Sequence, residues 1–368
     1  MNIEWIDEQN DLAGKVVLVR AGLNTPIENG MVRNDFRIQR ALPTLRFLRD
    51  QGARIIIISH IGRDGTETLQ PVADALHEHL PVAFQTREEL VVSTLQNGDI
   101  VLLENLRQDN REIENDETFA QELAALADIF VQDAFSVCHR KHASIVGIPQ
   151  YIKSYGGLLL REEIEKLAQV LDPEHPALFI LGGAKFETKE PLIRKFIEVY
   201  DTLFIGGALQ NELLAARGIE VGASVIGDGE IAKDILENEK IASVHDVVVA
   251  HVDGSSETLA INEIGSEDTI VDIGDGTMQD LVATFNRYKT IIWNGPLGWY
   301  EKGYTSATKT CAHALALSSA TTVVGGGDTI ALIQKEKLEN EFDFVSTGGG
   351  AMLEFLLKGT LPGLEVLK

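Results

Sequence analysis

Short apolar runs alternate with helix-like segments along this chain, and this alternation constrains the fold more than any other feature. In the first half the runs are residues 15–20, 54–60, 99–105 and 129–135. Segments 35–51 and 117–127, between them, have helical periodicity. The second half repeats the theme at 177–183, 202–207, 246–252, 269–274, 290–296, 321–328 and 344–350. Strands that are apolar almost throughout belong to parallel sheets covered on both faces. The expected fold class is therefore α/β, with two doubly wound parallel-sheet, Rossmann-like domains. A chain of 368 residues suits two domains at roughly 100–200 residues each.

The join is expected near residues 152–175. Gly156-Gly157 precedes a helical pattern over 158–171, and Asp172-Pro173-Glu174-His175-Pro176 then stops it. The expected division is 1–155 with the tail 355–368, an interdomain helix over 156–172 acting as a hinge, and 173–354. No solenoid repeat and no low-complexity tract interrupts the pattern.

The net charge of −24 argues against nucleic acid and anionic membrane as partners. No apolar run reaches the ~18 residues of a membrane span, and residues 1–11 lack the apolar stretch of a signal peptide. Cys138 and Cys311 are the only cysteines, too few for a disulfide framework or a zinc site. A cytoplasmic protein is expected. Its basic residues are unevenly typed: residues 1–150 hold 12 Arg and 2 Lys, and residues 151–368 hold 4 Arg and 14 Lys. Arginine forks match carboxylate and phosphate, whereas lysine is a flexible point charge. The asymmetry reads either as drift in composition or as an anion site in the first half.

Strand after strand in the second half ends in glycine: Gly182-Gly183-Ala184-Lys185, Gly206-Gly207, Asn294-Gly295-Pro296, Gly325-Gly326-Gly327-Asp328-Thr329 and Gly348-Gly349-Gly350. One such pair is explained by a tight turn. Five on one sheet edge suggest backbone N–H groups opened to phosphate oxygens, at the strand ends where ligands of such sheets bind. None fits a P-loop or a dinucleotide fingerprint, which argues against a Walker ATPase and a nicotinamide dehydrogenase. Lys185 and Lys189 are four apart and share a helix face if the helix begins near Phe186. At a helix N-terminus two lysines oppose the dipole unless an anion sits there; solvated surface lysines are the plain alternative. Asp328 is either a helix N-cap or a magnesium ligand.

Basic and polar residues also gather at strand ends in the first half: Arg20 to Asn24, His60 to Arg63, Glu104 to Arg107, and His139 to His142, with Arg37 opening a helix. Each alone reads as a solvated charge or cap. Together they would ring one crevice with positive groups and focus a small polyanion there.

These residues resemble those of phosphoglycerate kinases. The resemblance runs from Val17 to Leu367 through SHIGR, LLENLR, DAF with HRKH, ILGGAK, IWNGP, VGGGDT and VSTGGGA in order. It implies reversible phosphoryl transfer between 1,3-bisphosphoglycerate and MgADP, giving 3-phosphoglycerate and MgATP, a step shared by glycolysis and gluconeogenesis. Magnesium and ATP or ADP are the implied cofactor and co-substrate, and a monomer is expected. The resemblance places the phosphoglycerate site at Asn24, Arg37, His60, Arg63, Arg107 and Arg140, with His139 beside it. It places the nucleotide site at Gly183, Ala184, Lys185, Lys189, Gly207, Asn294, Pro296, Glu301, Gly326, Gly327, Asp328 and Thr329. In that reading Glu301 holds ribose hydroxyls and Asp328 magnesium. Arg37, Lys185, Lys189, Gly349 and Gly350 would attend the transferred group, with closure of the two lobes excluding water.

Several positions depart from the family pattern. Gly22 stands where an aspartate that binds the substrate hydroxyl is expected, and Ser136-Val137 where glycine-threonine is expected. Thr188, Ala208, Ala307 and Trp299 replace an aspartate, two glycines and a small aliphatic residue. A related small-carboxylate kinase with an altered substrate, and an inactive binding protein of the same fold, therefore stand as alternatives. The joint retention of Arg37, Lys185, Lys189 and Asp328 speaks against the inactive form.

Overall fold

The computed structural model describes residues 2–227 and 229–368. Met1 and Asp228, counted above in the first and second domains, lie outside the described residues. The chain divides into two units, one running up to Glu165 and taken up again at Lys358–Lys368, the other Lys166–Leu357. The division falls inside the helix Leu158–Gln169, and the return to the first unit comes at 358 rather than 355.

The strands of the first unit are β1 (Val16–Ala21), β2 (Ile27–Glu28), β3 (Met31–Val32), β4 (Arg54–Ile58), β5 (Ala83–Gln85), β6 (Ile100–Leu103), β7 (Ile129–Asp133) and β8 (Ser154–Gly156). Among the described residues its main sheet has six strands in the order β5-β6-β4-β1-β7-β8, all paired in parallel. Every residue of β1 and β7 is buried. Alternate residues point to opposite faces, and two separate cores result. Val17, Val19, Ile55 and Ile57 pack with Ile38, Leu42 and Leu45 of the helix Phe36–Asp50. Val16, Leu18, Ile56 and Ile58 pack with Phe119, Ala120 and Leu123 of the helix Glu117–Ala124. From β1 the chain moves to β4 on one side, and from β7 to β8 on the other. The crevice of this sheet therefore opens at the carboxyl ends of β1 and β7.

The second unit contains β9 (Ala177–Leu181), β10 (Thr202–Ile205), β11 (Asp246–Ala250), β12 (Ser256–Ala260), β13 (Thr269–Ile273), β14 (Thr290–Asn294), β15 (Thr321–Gly325) and β16 (Phe344–Val345). Its parallel sheet runs β10-β9-β14-β15-β16, with the reversal between β9 and β14. The runs at 246–252 and 269–274, expected in this sheet, instead form a separate antiparallel sheet, β12-β11-β13. For β11 burial explains the difference. Val247 and Val249 are buried while Asp246, Val248 and Ala250 are only partly so. That alternation marks a sheet with one face packed and one open, which antiparallel pairing tolerates. Cys138 and Cys311 are free and buried. No helix among the described residues is long and apolar enough to cross a membrane.

Candidate active site

At the crevice of the first sheet, Gly22 to Asn24 leave β1 and Ala134 to Ser136 leave β7. A Cβ placed on Gly22 would lie 3.2 Å from Ser136 Oγ. The same hydroxyl accepts a hydrogen bond from Arg37 Nη1 at 3.2 Å. Arg37 lies in the first turn of the helix Phe36–Asp50, and burial lowers its pKa. Asn24 Oδ1 accepts from the Gly62 amide at 3.2 Å, and Arg107 Nη1 donates to the Gly62 carbonyl. Asn24, the loop after β4 and the loop after β6 are thereby tied together. Asn105 Oδ1 accepts from the Arg107 amide at 3.1 Å and the Ile61 amide at 3.2 Å, which fixes the register of those loops.

The electrostatics of this crevice are set by arginine. His60 is 3% exposed. Its pKa is held well below the ordinary imidazole value by burial, and then by Arg20, Arg107, Arg140 and Arg37. Arg107 is itself lowered, first by burial and then by Arg140. His60 therefore feels three of the other expected site residues, Arg37, Arg107 and Arg140, and Arg107 feels Arg140. Arg63 is exposed one residue past Gly62, and Arg140 is exposed beside half-buried His139. Arg20, grouped with the crevice in the sequence, is 1% exposed and sits beneath it.

In the second unit the loops after β9, β10, β14 and β15 pack edge to edge, and glycine makes this possible. Gly207 has φ +63° and ψ −155°, a region closed to other residues. A Cβ there would lie 2.7 Å from the Gly183 carbonyl oxygen. Gly182 abuts the Pro296 carbonyl, and Gly326, with φ +101°, abuts the Gly295 amide. Asn294 Nδ2 approaches Met352 Sδ at 3.5 Å, placing the helix Gly350–Lys358 against the end of β14. Gly349 and Gly350 open that helix.

A cleft of about 350 Å³ lies along this edge, within the range of small-ligand sites. Gly183, Ala184, Gly207, Pro296, Glu301 and Asp328, all expected from the sequence, line it. Lys185 caps the helix Phe186–Val199 from a left-handed conformation, φ +65° and ψ +79°, a strained state for a residue with a Cβ. Lys189 follows one turn later, half-buried, with its pKa lowered by burial. Gly327 begins the helix Gly327–Lys335. Thr329 in its first turn has a buried hydroxyl with no partner among the described residues.

Three lining residues escape a sequence reading or change meaning. Trp299 lines the cleft at 36% exposure, so it is not a core residue, and Lys302 Nζ lies 5.8 Å from its ring centroid. Asn211 lines the cleft with Nδ2 donating to the Val225 carbonyl at 3.3 Å, while its buried Oδ1 has no partner. Asp272, at 3% exposure, accepts from the Ile273 amide at 3.0 Å and the Ala307 amide at 3.2 Å. Burial pushes its carboxyl up to about 6. It anchors the start of the helix Ser306–Ala316 and abuts Gly298, next to Trp299. The one available signal was an acid next to the end of an apolar strand.

Asp328 fits a magnesium ion carried in on a ligand. Its pKa is raised by burial and then by the negative charge of Glu301, a repulsion a cation would relieve. Among the described residues no three His, Cys, Asp or Glu side chains converge as a metal cage. Magnesium is commonly held by one or two carboxylates, with substrate phosphates and water completing its shell.

The sequence pattern of phosphoglycerate kinases matches residues 6–359. The phosphoglycerate kinase of Dictyoglomus turgidum is 39% identical over 382 residues, covering 97% of this chain and 96% of that protein. The enzyme of Moorella thermoacetica is 37% identical, with 97% of each chain covered. Among solved structures, phosphoglycerate kinase from Coxiella burnetii superposes with a TM-score of 0.83 at 34% identity. The one from Pyrococcus horikoshii gives 0.87 at 28%. Each match spans 99% of this chain and 98% of the other. With the pattern running through both units and their glycine-edged and arginine-lined strand ends, this chain belongs to the phosphoglycerate kinase family.

Proposed function

We propose that the chain transfers a phosphoryl group reversibly between 1,3-bisphosphoglycerate and MgADP, giving 3-phosphoglycerate and MgATP. The observation that carries the reading is the phosphate-ready edge of the second sheet. Two lysines sit at one helix N-terminus, beside loops of positive-φ glycines and a carboxylate whose pKa is raised by burial and then by Glu301. Without an anion that arrangement is electrostatically unfavourable; with nucleotide phosphates it is satisfied.

In this reading Gly183, Ala184, Gly207, Asn294, Pro296, Gly326, Gly327 and Thr329 hold the nucleotide, and Glu301 its ribose. Asp328 holds magnesium, which supplies charge neutralisation on the phosphates when bound. Lys185, Lys189 and the amides of Gly349 and Gly350 stabilise the equatorial oxygens of the group in transfer. Asn24, Arg37, His60, Arg63, Arg107, His139 and Arg140 bind the three-carbon anion. The nucleophile is a carboxylate or a nucleotide phosphate, so no general base is required. Acceptor and donor must meet, and both units have to be occupied on one molecule. A cytoplasmic monomer acting on small molecules, away from nucleic acid and membranes, completes the proposal.

A coupled assay with MgATP and 3-phosphoglycerate tests it, run beside 2-phosphoglycerate, glycerate and 3-phosphopropionate. Turnover with 3-phosphoglycerate well above 2-phosphoglycerate and glycerate is expected, with 3-phosphopropionate, which lacks only the hydroxyl, much less strongly rejected. The crowding of Gly22 by Ser136 favours one second reading, a kinase of a related carboxylate. A higher kcat/KM with one of the other acids would establish that reading instead.

A further inference from the structure

Arg20 is part of strand β1, 1% exposed, and cannot itself reach a ligand as its partners hold it. Each of its three guanidinium nitrogens has a partner. Nε donates to Ser144 Oγ at 2.9 Å, Nη1 to the Ala21 carbonyl at 2.6 Å, and Nη2 lies 2.9 Å from His60 Nδ1. The buried charge is balanced by Glu112, also 1% exposed. Glu112 Oε1 accepts from Ser144 Oγ at 2.6 Å and Oε2 from the Ser144 amide at 2.9 Å. A guanidinium has donors and no acceptor. A short contact to an imidazole nitrogen therefore requires that nitrogen to carry the lone pair.

We propose that Arg20 is a positioning residue: by donating to Nδ1 it fixes the His60 proton on Nε2, the ring atom left to meet the substrate anion. Nε2 has no partner among the described residues and is not sealed from solvent. With the proton on Nδ1 instead, two N–H groups would oppose each other and the Nε2 lone pair would face an anion. The charged groups around the ring are Arg20 on β1, Arg37 on the helix Phe36–Asp50, and Arg107 and Arg140 in the loops beyond β6 and β7. All four oppose an imidazolium, so His60 serves as a neutral donor whose state does not change with cellular pH. Glu112 and Ser144 hold Arg20 in register, and Glu112 is the counter-charge that lets Arg20, pushed down to about 10 by burial, stay protonated. The role of the Nε2 proton rests on the proposed phosphoglycerate site. The tautomer itself does not, and it is measured without substrate.

The experiment is long-range ¹H–¹⁵N correlation spectroscopy on protein labelled at histidine, from pH 5 to 8, with His60→Gln assigning the signal. The expected result is one neutral Nε2–H tautomer throughout. An Nδ1–H tautomer, or protonation of His60 inside that range, overturns the proposal. In Arg20→Met the His60 signal is expected to titrate or to show both tautomers. KM for 3-phosphoglycerate should then rise several-fold and become pH-dependent, with a smaller change in kcat. A folded Arg20→Met protein with an unchanged His60 signal also overturns it. Should Arg20→Met not fold, the parent spectrum decides. Absence of phosphoglycerate turnover with an Nε2–H tautomer would count against the enzymatic reading alone.

Discussion

Gly22 and Ser136 form the sharpest single-residue question in the molecule. The family resemblance places a hydroxyl-binding aspartate at 22 and a glycine at 136; here the larger side chain has moved across the crevice. A Cβ at 22 would sit 3.2 Å from Ser136 Oγ, which already accepts from Arg37. Gly22→Asp alone therefore requires the serine hydroxyl, already held by Arg37, to give way by a few tenths of an ångström. A hydrogen bond to a charged acceptor contributes roughly 1.5–3 kcal/mol, or about 10- to 150-fold in affinity. The parent is expected to prefer 3-phosphoglycerate over 3-phosphopropionate by less than about tenfold. Gly22→Asp should improve this little, and Gly22→Asp with Ser136→Gly should improve it well beyond the sum of the single changes. Calorimetric titration of both ligands into the four proteins measures the coupling. Additive effects would show that the two positions act independently.

The helix Phe186–Val199 carries its function at its first turn. Lys185 caps it from a left-handed conformation, and Lys189 is half-buried with no ion pair among the described residues. Both charges oppose the helix dipole, a penalty of roughly 0.3–1 kcal/mol each. Lys189→Ala should thus lower turnover by about 100-fold or more with little change in KM, while leaving the melting temperature of the free protein equal or higher. A turnover within a few-fold of the parent would remove Lys189 from the transition state. Elements such as this helix were legible because apolar periodicity and glycine punctuation act locally. The cores of β1, β4, β6, β7, β9, β14 and β15 were legible for the same reason. The run at β11 was misassigned because a short valine-rich segment looks alike in either kind of sheet, and only burial of one face separates them; β13 is buried almost throughout, and its antiparallel pairing with β11 alone sets it apart. The short edge strands β5 and β8 carry too few apolar residues to stand out. Motif order pointed to most of the residues proposed for the site. Arg20, Ser144 and Glu112, or Asp272 and Ala307, meet across long stretches of chain, and no local pattern announces such pairs.

Charge over the whole molecule opposes its proposed substrates. The first unit has 18 Lys and Arg against 27 Asp and Glu, and the second 14 against 29. Even the unit with the arginine crevice is net acidic, so an approaching anion meets repulsion at long range and attraction only close in. The two forces respond differently to salt. A ligand of about three negative charges, about 20 Å from the net charge of the first unit, faces about 5 kcal/mol of unscreened repulsion in water. With a Debye length of ~30 Å at 0.01 M salt about half of that survives, and with ~10 Å at 0.1 M it falls below ~1 kcal/mol. The arginines act at contact distance, where screening becomes effective only as the Debye length nears ~3 Å at 1 M. KM for 3-phosphoglycerate should therefore fall several-fold as potassium chloride rises from about 0.01 to 0.1 M, then climb toward 1 M as the contact pairs weaken. Initial rates across that series, at fixed free magnesium, give the curve. A KM that climbs steadily from the lowest salt would mean that the local arginine field dominates at every distance. The acidic surface would then have no part in substrate capture.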